Sequence, residues 1–302
     1  MEIAVCLPLS EAQEARLRRS AGSATVRRCA PDDLGDASVV FGNPTPEAIA
    51  ANRALRWLQL ESVGFGEYLD LDWSRASGPA QVTNLAGFFA DPVAETALAG
   101  ILALKRGIDR LCALRSDGTW IGDPIRSELG LLGGSKTVLF GRGAINGRLA
   151  ELLAPFRCTV TAFGRDFAED RLDAALEQAD VVVATVPHTA ATAGLFGAAR
   201  LARMKRSAIF CNLGRGSLVD EEALARALRS GALAGAVIDV TQAEPLPPDH
   251  AFWTTPNTIL TQHSGGGTAD ETDRKIDWFL NNLVRFRDGA PLEGLVDFTR
   301  GY

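Results

Sequence analysis

What these 302 residues lack narrows the field before any motif is considered. The five cysteines, Cys6, Cys29, Cys112, Cys158 and Cys211, are odd in number, scattered, and never spaced as C-x-x-C. They suggest neither a disulfide framework nor a zinc site and fit a reducing cytoplasm. No apolar run reaches the roughly 18 residues of a membrane-spanning helix. The opening MEIAVCLPLSEAQEARLRRS lacks the basic start and long apolar stretch of a signal peptide, so it reads as a first strand and helix. Positive charge is also short: 31 Lys and Arg stand against 37 Asp and Glu. That balance argues against a chain-wide role on nucleic acid or an anionic membrane, where affinity comes from neutralising phosphates. There is no internal repeat and no low-complexity tract.

What remains is an apolar content of 46% with 23% charged residues, enough to bury a sizeable core, in a chain long enough for two domains. The first ninety residues alternate strand-like and helix-like runs: EIAVCL, SEAQEARLRRS, ASVVFG, TPEAIAANRAL, RWLQLE. From Pro92, VAETALAGILALKRGIDRLCAL is apolar nearly all round, which predicts one long buried helix joining two domains. Beyond Trp120 the alternation resumes as TVLF, INGRLAELLAPF, CTVTAF, DRLDAALEQ, ADVVVATV, AARLARM, SAIFCN, DEEALARALRS, LAGAVIDV and NTILTQ. Continuous apolar strands alternating with helices predict a doubly wound parallel sheet covered on both faces. Asp220 is a fitting N-cap, Glu221 and Glu222 suit a helix start, and Gly231 offers a left-handed stop. A final helix, TADETDRKIDWFLNNLVRFRDG, predicts a return to the first domain, which would then be discontinuous.

In FGRGAINGRLA, Gly141 and Gly143 occupy the first two places of a dinucleotide-binding glycine loop, between a strand and a helix whose N-terminus would face a pyrophosphate. Asn146 stands in the third place, where glycine chiefly lets helix and strand pack closely. The substitution is therefore expected to touch packing more than phosphate binding. About 20 residues on, where an acidic side chain would hold the adenosine ribose, the chain has Gly164 followed by Arg165. A missing carboxylate and a nearby guanidinium favour NADP(H) over NAD(H), although Asp166, Glu169 and Asp170 follow at once.

Among three histidines, His263 in TILTQHSGGG lies just past a strand end, where open α/β sheets hold ligands. It is the best acid/base candidate. His188 could line a cofactor crevice or a surface loop, and His250 reads as structural. Arg215, between two glycines after SAIFCN, and Asp239 and Glu244, after LAGAVIDV, complete three adjacent strand ends. Each alone is as consistent with an ordinary loop residue. Together they suit a division of labour in which arginine clamps a carboxylate, histidine exchanges a proton, and glutamate orients the histidine.

These segments resemble the D-isomer-specific 2-hydroxyacid dehydrogenases. The resemblance rests on FGRGAINGRLAELLAPFRCTVTAFGR, ADVVVATVPHTAATAGLFG, MKRSAIFCNLGRGSLVDEEALARALRSGALAGAVIDVTQAEPLPPDH and PNTILTQHSGG, and extends to LRWLQLESVGF and GFFADPVAETALAGILAL near the start. It implies an α/β chain with a doubly wound parallel-sheet (Rossmann) nucleotide-binding domain, residues 93–269, inserted into a smaller flavodoxin-like substrate domain, residues 1–92 and 270–302. It implies that Arg215 holds the carboxylate and carbonyl of a 2-oxoacid, that His263 donates the proton as hydride arrives from the nicotinamide, and that Glu244 sustains the imidazolium. Backbone amides of Ser62, Val63 and Gly64 would bind the substrate carboxylate, placing the active site in an interdomain cleft. Asp239 would meet the nicotinamide amide. Gly141, Gly143, Ala144, Ile145, Gly164, Arg165, Val186, Pro187, Thr192, Leu213 and His263 would lie along the cofactor. The interdomain helix implies a homodimer.

Three positions depart from the family pattern: Asn146 for glycine, Gln262 for a proline before the histidine, and Gly164 for an acidic residue. With Gly164, Arg165 and the closing LVDFTRGY, the chain is most similar to the short glyoxylate/hydroxypyruvate reductases. It is therefore expected to reduce a small 2-oxoacid to its D-2-hydroxyacid. A nucleotide-sensing binding protein, like the C-terminal-binding corepressors that share these residues, is the alternative. A degenerate dehydrogenase that binds no cofactor is a third. Phe65, Phe88 and Trp253 are candidates for the wall of the side-chain pocket, or for core.

Overall fold

The computed structural model of the protein describes residues 1–74 and 78–299. In chain order the first elements are β1 (Glu2–Val5), α1 (Glu11–Ser20), β2 (Thr25–Arg28), β3 (Val39–Phe41), α2 (Pro46–Ala51), β4 (Trp57–Gln59) and β5 (Gln81–Thr83). There follow α3 (Ala90–Arg106), α4 (Ile108–Leu114), β6 (Lys136–Phe140), α5 (Ala144–Leu153), β7 (Thr159–Phe163), α6 (Glu169–Leu176), β8 (Val181–Ala184), α7 (Ala198–Leu201), β9 (Ile209–Asn212), α8 (Glu221–Arg229), β10 (Gly235–Ile238) and β11 (Thr258–Leu260). The last helix is α9 (Glu271–Arg287). The chain forms two compact units, Met1–Phe88 with Thr268–Tyr302, and Phe89–Gly267. No helix among the described residues is long and apolar enough to cross a membrane.

The first unit holds a five-stranded parallel sheet in the order β2-β1-β3-β4-β5. Its strands alternate between two cores with the period of two expected of a pleated strand. Ile3, Val5, Val39, Phe41 and Trp57 face one core, and Ala4, Val40 and Leu58 the other. The return helix α9 belongs to this unit because Phe279 stacks on Phe41 and Trp57, with ring centroids 4.5 and 5.1 Å apart. Buried Asn282 donates to Gln59 Oε1 at 3.0 Å, so the polar group this helix buries is satisfied.

The second unit holds a six-stranded parallel sheet in the order β11-β10-β9-β8-β6-β7. Val138, Phe140, Val182, Ala184, Phe210 and Ile238 face one core; Leu139, Val181, Val183, Cys211 and Val237 face the other. The order reverses between β6 and β8, where the chain steps outward to β7 and then back across β6. Loops leaving the carboxyl ends of β6 and β8 diverge there, leaving the crevice in which such sheets hold ligands. Within α8 the cap operates as its sequence predicts: Asp220 accepts from the Ala223 N–H at 2.9 Å, and Gly231 closes the end at φ 66°.

Three expectations need correcting. The helix expected to run unbroken from Pro92 stops at Gly107, whose φ of 61° is left-handed, and its continuation α4 buries no residue. Strands β2 and β5 lie in stretches that show no apolar run, because short sheet-edge strands can leave one side to solvent. Strand β7, also at an edge, shows alternate exposure rather than cover on both faces. The last three residues of the closing LVDFTRGY lie outside the described residues.

Candidate active site

Arg215, Glu244 and His263 stand in the loops that leave β9, β10 and β11, three neighbouring strands of the second sheet. His263 Nδ1 and Glu244 Oε2 are 2.7 Å apart. Burial pushes the Glu244 carboxyl upward. Hydrogen bonds from His263 and the Thr241 N–H, with the His263 and Arg215 charges, outweigh that and hold it below the ordinary glutamate value. Glu244 is therefore a carboxylate near neutral pH, and the Nδ1–H donates to it. The ring's other nitrogen, Nε2, is left to exchange a proton.

The loops reach this arrangement because the glycines flanking Arg215 let backbones touch. A Cβ on Gly216 would lie 2.0 Å from the Thr241 carbonyl carbon, and one on Gly214 would lie 2.6 Å from the Val186 carbonyl oxygen. Buried Asn212 braces the same turn, donating to the Arg215 carbonyl at 3.0 Å and accepting from the Gly214 N–H at 3.2 Å. At the start of α8, Glu221 accepts from the Gln242 N–H at 2.8 Å and pairs with His250 Nε2 at 3.2 Å. Neither brace was singled out from sequence, where Asn212 reads as a strand end and Glu221 as a helix-start charge.

Asp239 is 5% exposed, and its Oδ1 accepts from Thr261 Oγ1 at 2.6 Å and from the Gly265 N–H at 3.0 Å. The Asp239 carbonyl takes the His263 N–H at 2.6 Å. This residue thus fastens the turn that carries the histidine. Gln262 and His263 are both left-handed, at φ 53° and 55°, a conformation closed to the proline expected in the place of Gln262. Beside the pair lies a cavity of about 440 Å³, walled by Ile238, Pro245, Leu246, Trp253 and Leu260, with Glu244 and His263 on its polar side. Trp253 therefore does line a pocket, whereas Phe65 and Phe88 are 2% and 6% exposed and belong to the core of the first unit.

The glycine loop lies across the switch point. Gly141 makes the turn at φ 116°, and Gly143 precedes α5 with no side-chain cap and no acid in the helix's first turn. Ala144 and Ile145 form that first turn. An uncapped helix start without carboxylates suits an anion. The buried Thr185 hydroxyl stands where a Cβ on Gly141 would come within 3.0 Å and has no hydrogen-bond partner among the described residues, so it can donate to a phosphate oxygen. The residues present thus fit a dinucleotide. Asn146 is 2% exposed and donates from Nδ2 to the Gly141 carbonyl at 2.9 Å. The expectation that Asn146 bears mainly on packing is corrected in one respect: it clamps the turn by a hydrogen bond.

Val186 and Pro187 follow β8, and the Leu213 N–H bonds the Ala184 carbonyl at 3.0 Å, carrying the β8–β9 pairing one step past the strand ends. Thr192 turns inward, donating to the Pro187 carbonyl at 2.8 Å, and His188 Nδ1 lies 2.7 Å from Ser217 Oγ. Gly164 and Arg165 close the end of β7. In the first unit the carbonyls of Ser62, Val63 and Gly64 are held by the Leu85 N–H, Asn84 Nδ2 and Ser62 Oγ.

A family model described as the NAD binding domain of D-isomer specific 2-hydroxyacid dehydrogenases matches residues 98–265. The chain belongs to that family. Among its relatives in the dehydrogenase family, a glyoxylate/hydroxypyruvate reductase B from Escherichia fergusonii is 34% identical, over 80% of this chain and 76% of its own. A glyoxylate reductase from Thermofilum pendens is 31% identical, over 83% and 77%. The crystal structure of a D-isomer specific 2-hydroxyacid dehydrogenase family protein from Aeromonas salmonicida superposes with a TM-score of 0.82 at 28% identity, covering 98% of this chain and 99% of that one. This dehydrogenase is thus an oxidoreductase with a Rossmann nucleotide-binding domain and a second parallel-sheet α/β domain.

Proposed function

We propose that this dehydrogenase reduces small 2-oxoacids, glyoxylate or hydroxypyruvate among them, to the 2-hydroxyacids, of D configuration where the product is chiral, with NADPH favoured over NADH. The observation that carries the proposal is the 2.7 Å His263–Glu244 pair, with the Arg215 charge close enough to help hold Glu244 ionised. Reduced nicotinamide supplies the hydride. Arg215 binds the substrate carboxylate and orients the carbonyl, since a guanidinium fork matches two oxygens at once. His263 gives its Nε2 proton to the carbonyl oxygen as that oxygen gains charge, and Glu244 stabilises the imidazolium until then. In the first unit, the N–H groups of Ser62, Val63 and Gly64 are proposed to bind a substrate carboxylate. None of the three has a hydrogen-bond acceptor among the described residues, while their carbonyls are all held.

The preference for NADPH rests on Gly164 and Arg165, which put a glycine where an acidic residue would hold the ribose and a cation beside it, against the carboxylate of nearby Asp166. Gly141, Gly143, Ala144, Ile145, Val186, Pro187, Thr192, Leu213 and Asp239 are proposed to border the rest of the cofactor. We also propose a homodimer. Ile108, Leu111, Trp120, Ile121 and Leu131 are all exposed along one excursion of chain, Trp120 at 93%, and a second copy would cover them. Sedimentation of a monomer at micromolar concentration would refute that.

The activity is tested by following NADPH and NADH absorbance separately with glyoxylate, hydroxypyruvate and bulkier 2-oxoacids. Turnover of the small acids, faster with NADPH, is expected. Nucleotide binding without turnover of any acid would favour the corepressor-like sensor, for which the reductases described above lend no support. The absence of any thermal stabilisation by either nucleotide would leave a dehydrogenase in fold only, because a bound ligand must stabilise the folded state.

A further inference from the structure

We propose that Arg142, the residue between the two glycines of the loop, is a ligand of the adenosine 2'-phosphate and a determinant of the choice between NADPH and NADH. The inference rests on the preference for NADPH proposed above and adds a residue from a different loop. Arg142 leaves the end of β6 and lies across the neighbouring edge strand β7, where Nε and Nη2 donate to the Ala162 carbonyl at 3.3 and 3.1 Å. Its aliphatic stem then passes over Gly164. A Cβ on Gly164 would stand 3.1 Å from Arg142 Cδ and 3.5 Å from Cγ. The position at which an acidic residue would hold a ribose hydroxyl is therefore covered by an arginine stem, and any side chain at 164 would crowd it. The glycine at 164 and the arginine stem above it belong to one packing arrangement.

The end of the second strand of a dinucleotide-binding sheet is where the adenosine ribose rests, so a charge there meets the 2' substituent. The Arg142 guanidinium is exposed, and its carbonyl partner is a neutral acceptor that a phosphate dianion outcompetes. A guanidinium presents two parallel donors to a phosphate, which a ribose hydroxyl cannot use in the same way. Asp166 opposes this, since its Oδ1 comes within 3.3 Å of the same Gly164 Cβ position. Its carboxylate repels a phosphate and weakens NADPH binding, so the site holds both an attractive and a repulsive group for one ligand.

The test is the dissociation constant of NADPH and of NADH, by titration of protein fluorescence, for the wild type and for Arg142→Met, Arg142→Lys and Asp166→Asn. Methionine keeps an aliphatic stem over Gly164 and removes the fork. Arg142→Met should weaken NADPH binding at least tenfold and leave NADH binding within about twofold; Arg142→Lys should recover part of the loss, and Asp166→Asn should tighten NADPH. Equal weakening of both nucleotides by Arg142→Met would make Arg142 a structural residue of the loop and overturn the proposal. If the wild type prefers NADPH and Arg142→Met keeps that preference, Arg142 is overturned while the cofactor preference stands, carried by Arg165. A wild type that binds NADH more tightly overturns both, and selective loss of NADH in Asp166→Asn would make Asp166 a ribose ligand instead.

Discussion

At Gly143 a Cβ would meet nothing within 4 Å, whereas at Gly216 it would sit 2.0 Å from the Thr241 carbonyl carbon. Both glycines follow strands of the same sheet, in loops at its carboxyl edge, yet they serve opposite purposes. Near β6 the bare backbone leaves space beside an uncapped helix start, and the cations nearby are exposed. Near β9 the space is already filled by the loop from β10, which brings Arg215 and Glu244 together. A glycine can thus keep room for a ligand or let two loops close, and only the neighbouring atoms distinguish the cases.

The largest effect should come from the closed end. His263→Ala is expected to lower kcat/KM for every accepted 2-oxoacid by about 10² to 10⁴, the usual worth of a positioned general acid, while nucleotide titration stays as in the wild type. Unchanged turnover would remove His263 from the mechanism. Gly216→Ala should destabilise by roughly 1–3 kcal/mol, because a methyl group has nowhere to go against backbone. Gly143→Ala should leave the thermal midpoint nearly unmoved and weaken nucleotide binding instead. If calorimetry gave the two alanine variants the same loss of stability, the contrast between open and closed glycines would be wrong.

Within the glycine loop, Asn146→Gly is expected to change nucleotide affinity by less than about tenfold, or 1.4 kcal/mol, because a water can replace the bond to the Gly141 carbonyl. Asn146→Leu keeps bulk without a donor and should do more harm. Complete loss of binding in Asn146→Gly would mean that Asn146 touches the cofactor itself. The smallest effect concerns pH. Since the Glu244 carboxyl is held below its ordinary value of about 4.3, its pairing stabilises the folded state above that pH and stops doing so as the pH falls through the lowered value. The difference in thermal midpoint between the wild type and Glu244→Gln should therefore be largest near neutrality and shrink below about pH 4.3. A difference that grows on acidification would reverse the assigned sign.

Much of this was legible in the chain because the informative patterns are local. Alternating residues such as Val181, Val182 and Val183 announce a strand covered on both faces, and they do face opposite cores. The Asp220 cap and the Gly231 stop are read within a dozen residues and are found as read. Edge strands β2 and β5 escaped notice because their polar residues need no burial. The break at Gly107 was hidden because apolar periodicity continues through it into α4, whose apolar residues stay uncovered within its unit.

By itself the order of residues determined two parallel α/β units, a glycine loop after the first strand of the second, and the presence of Arg215, Glu244 and His263 after successive strands. Those features depend on periodicity and on chain order, which a sequence carries directly. Only the tertiary structure decided which groups Asn146, Asp239, Asn212, Glu221 and Arg142 bond. Their partners are set by backbone approach and strand register, and for Asp239, Glu221 and Arg142 they lie about twenty or more positions away in the chain. Hydrogen bonds reach only about 3 Å, so such pairs exist only once the sheet has brought the loops together.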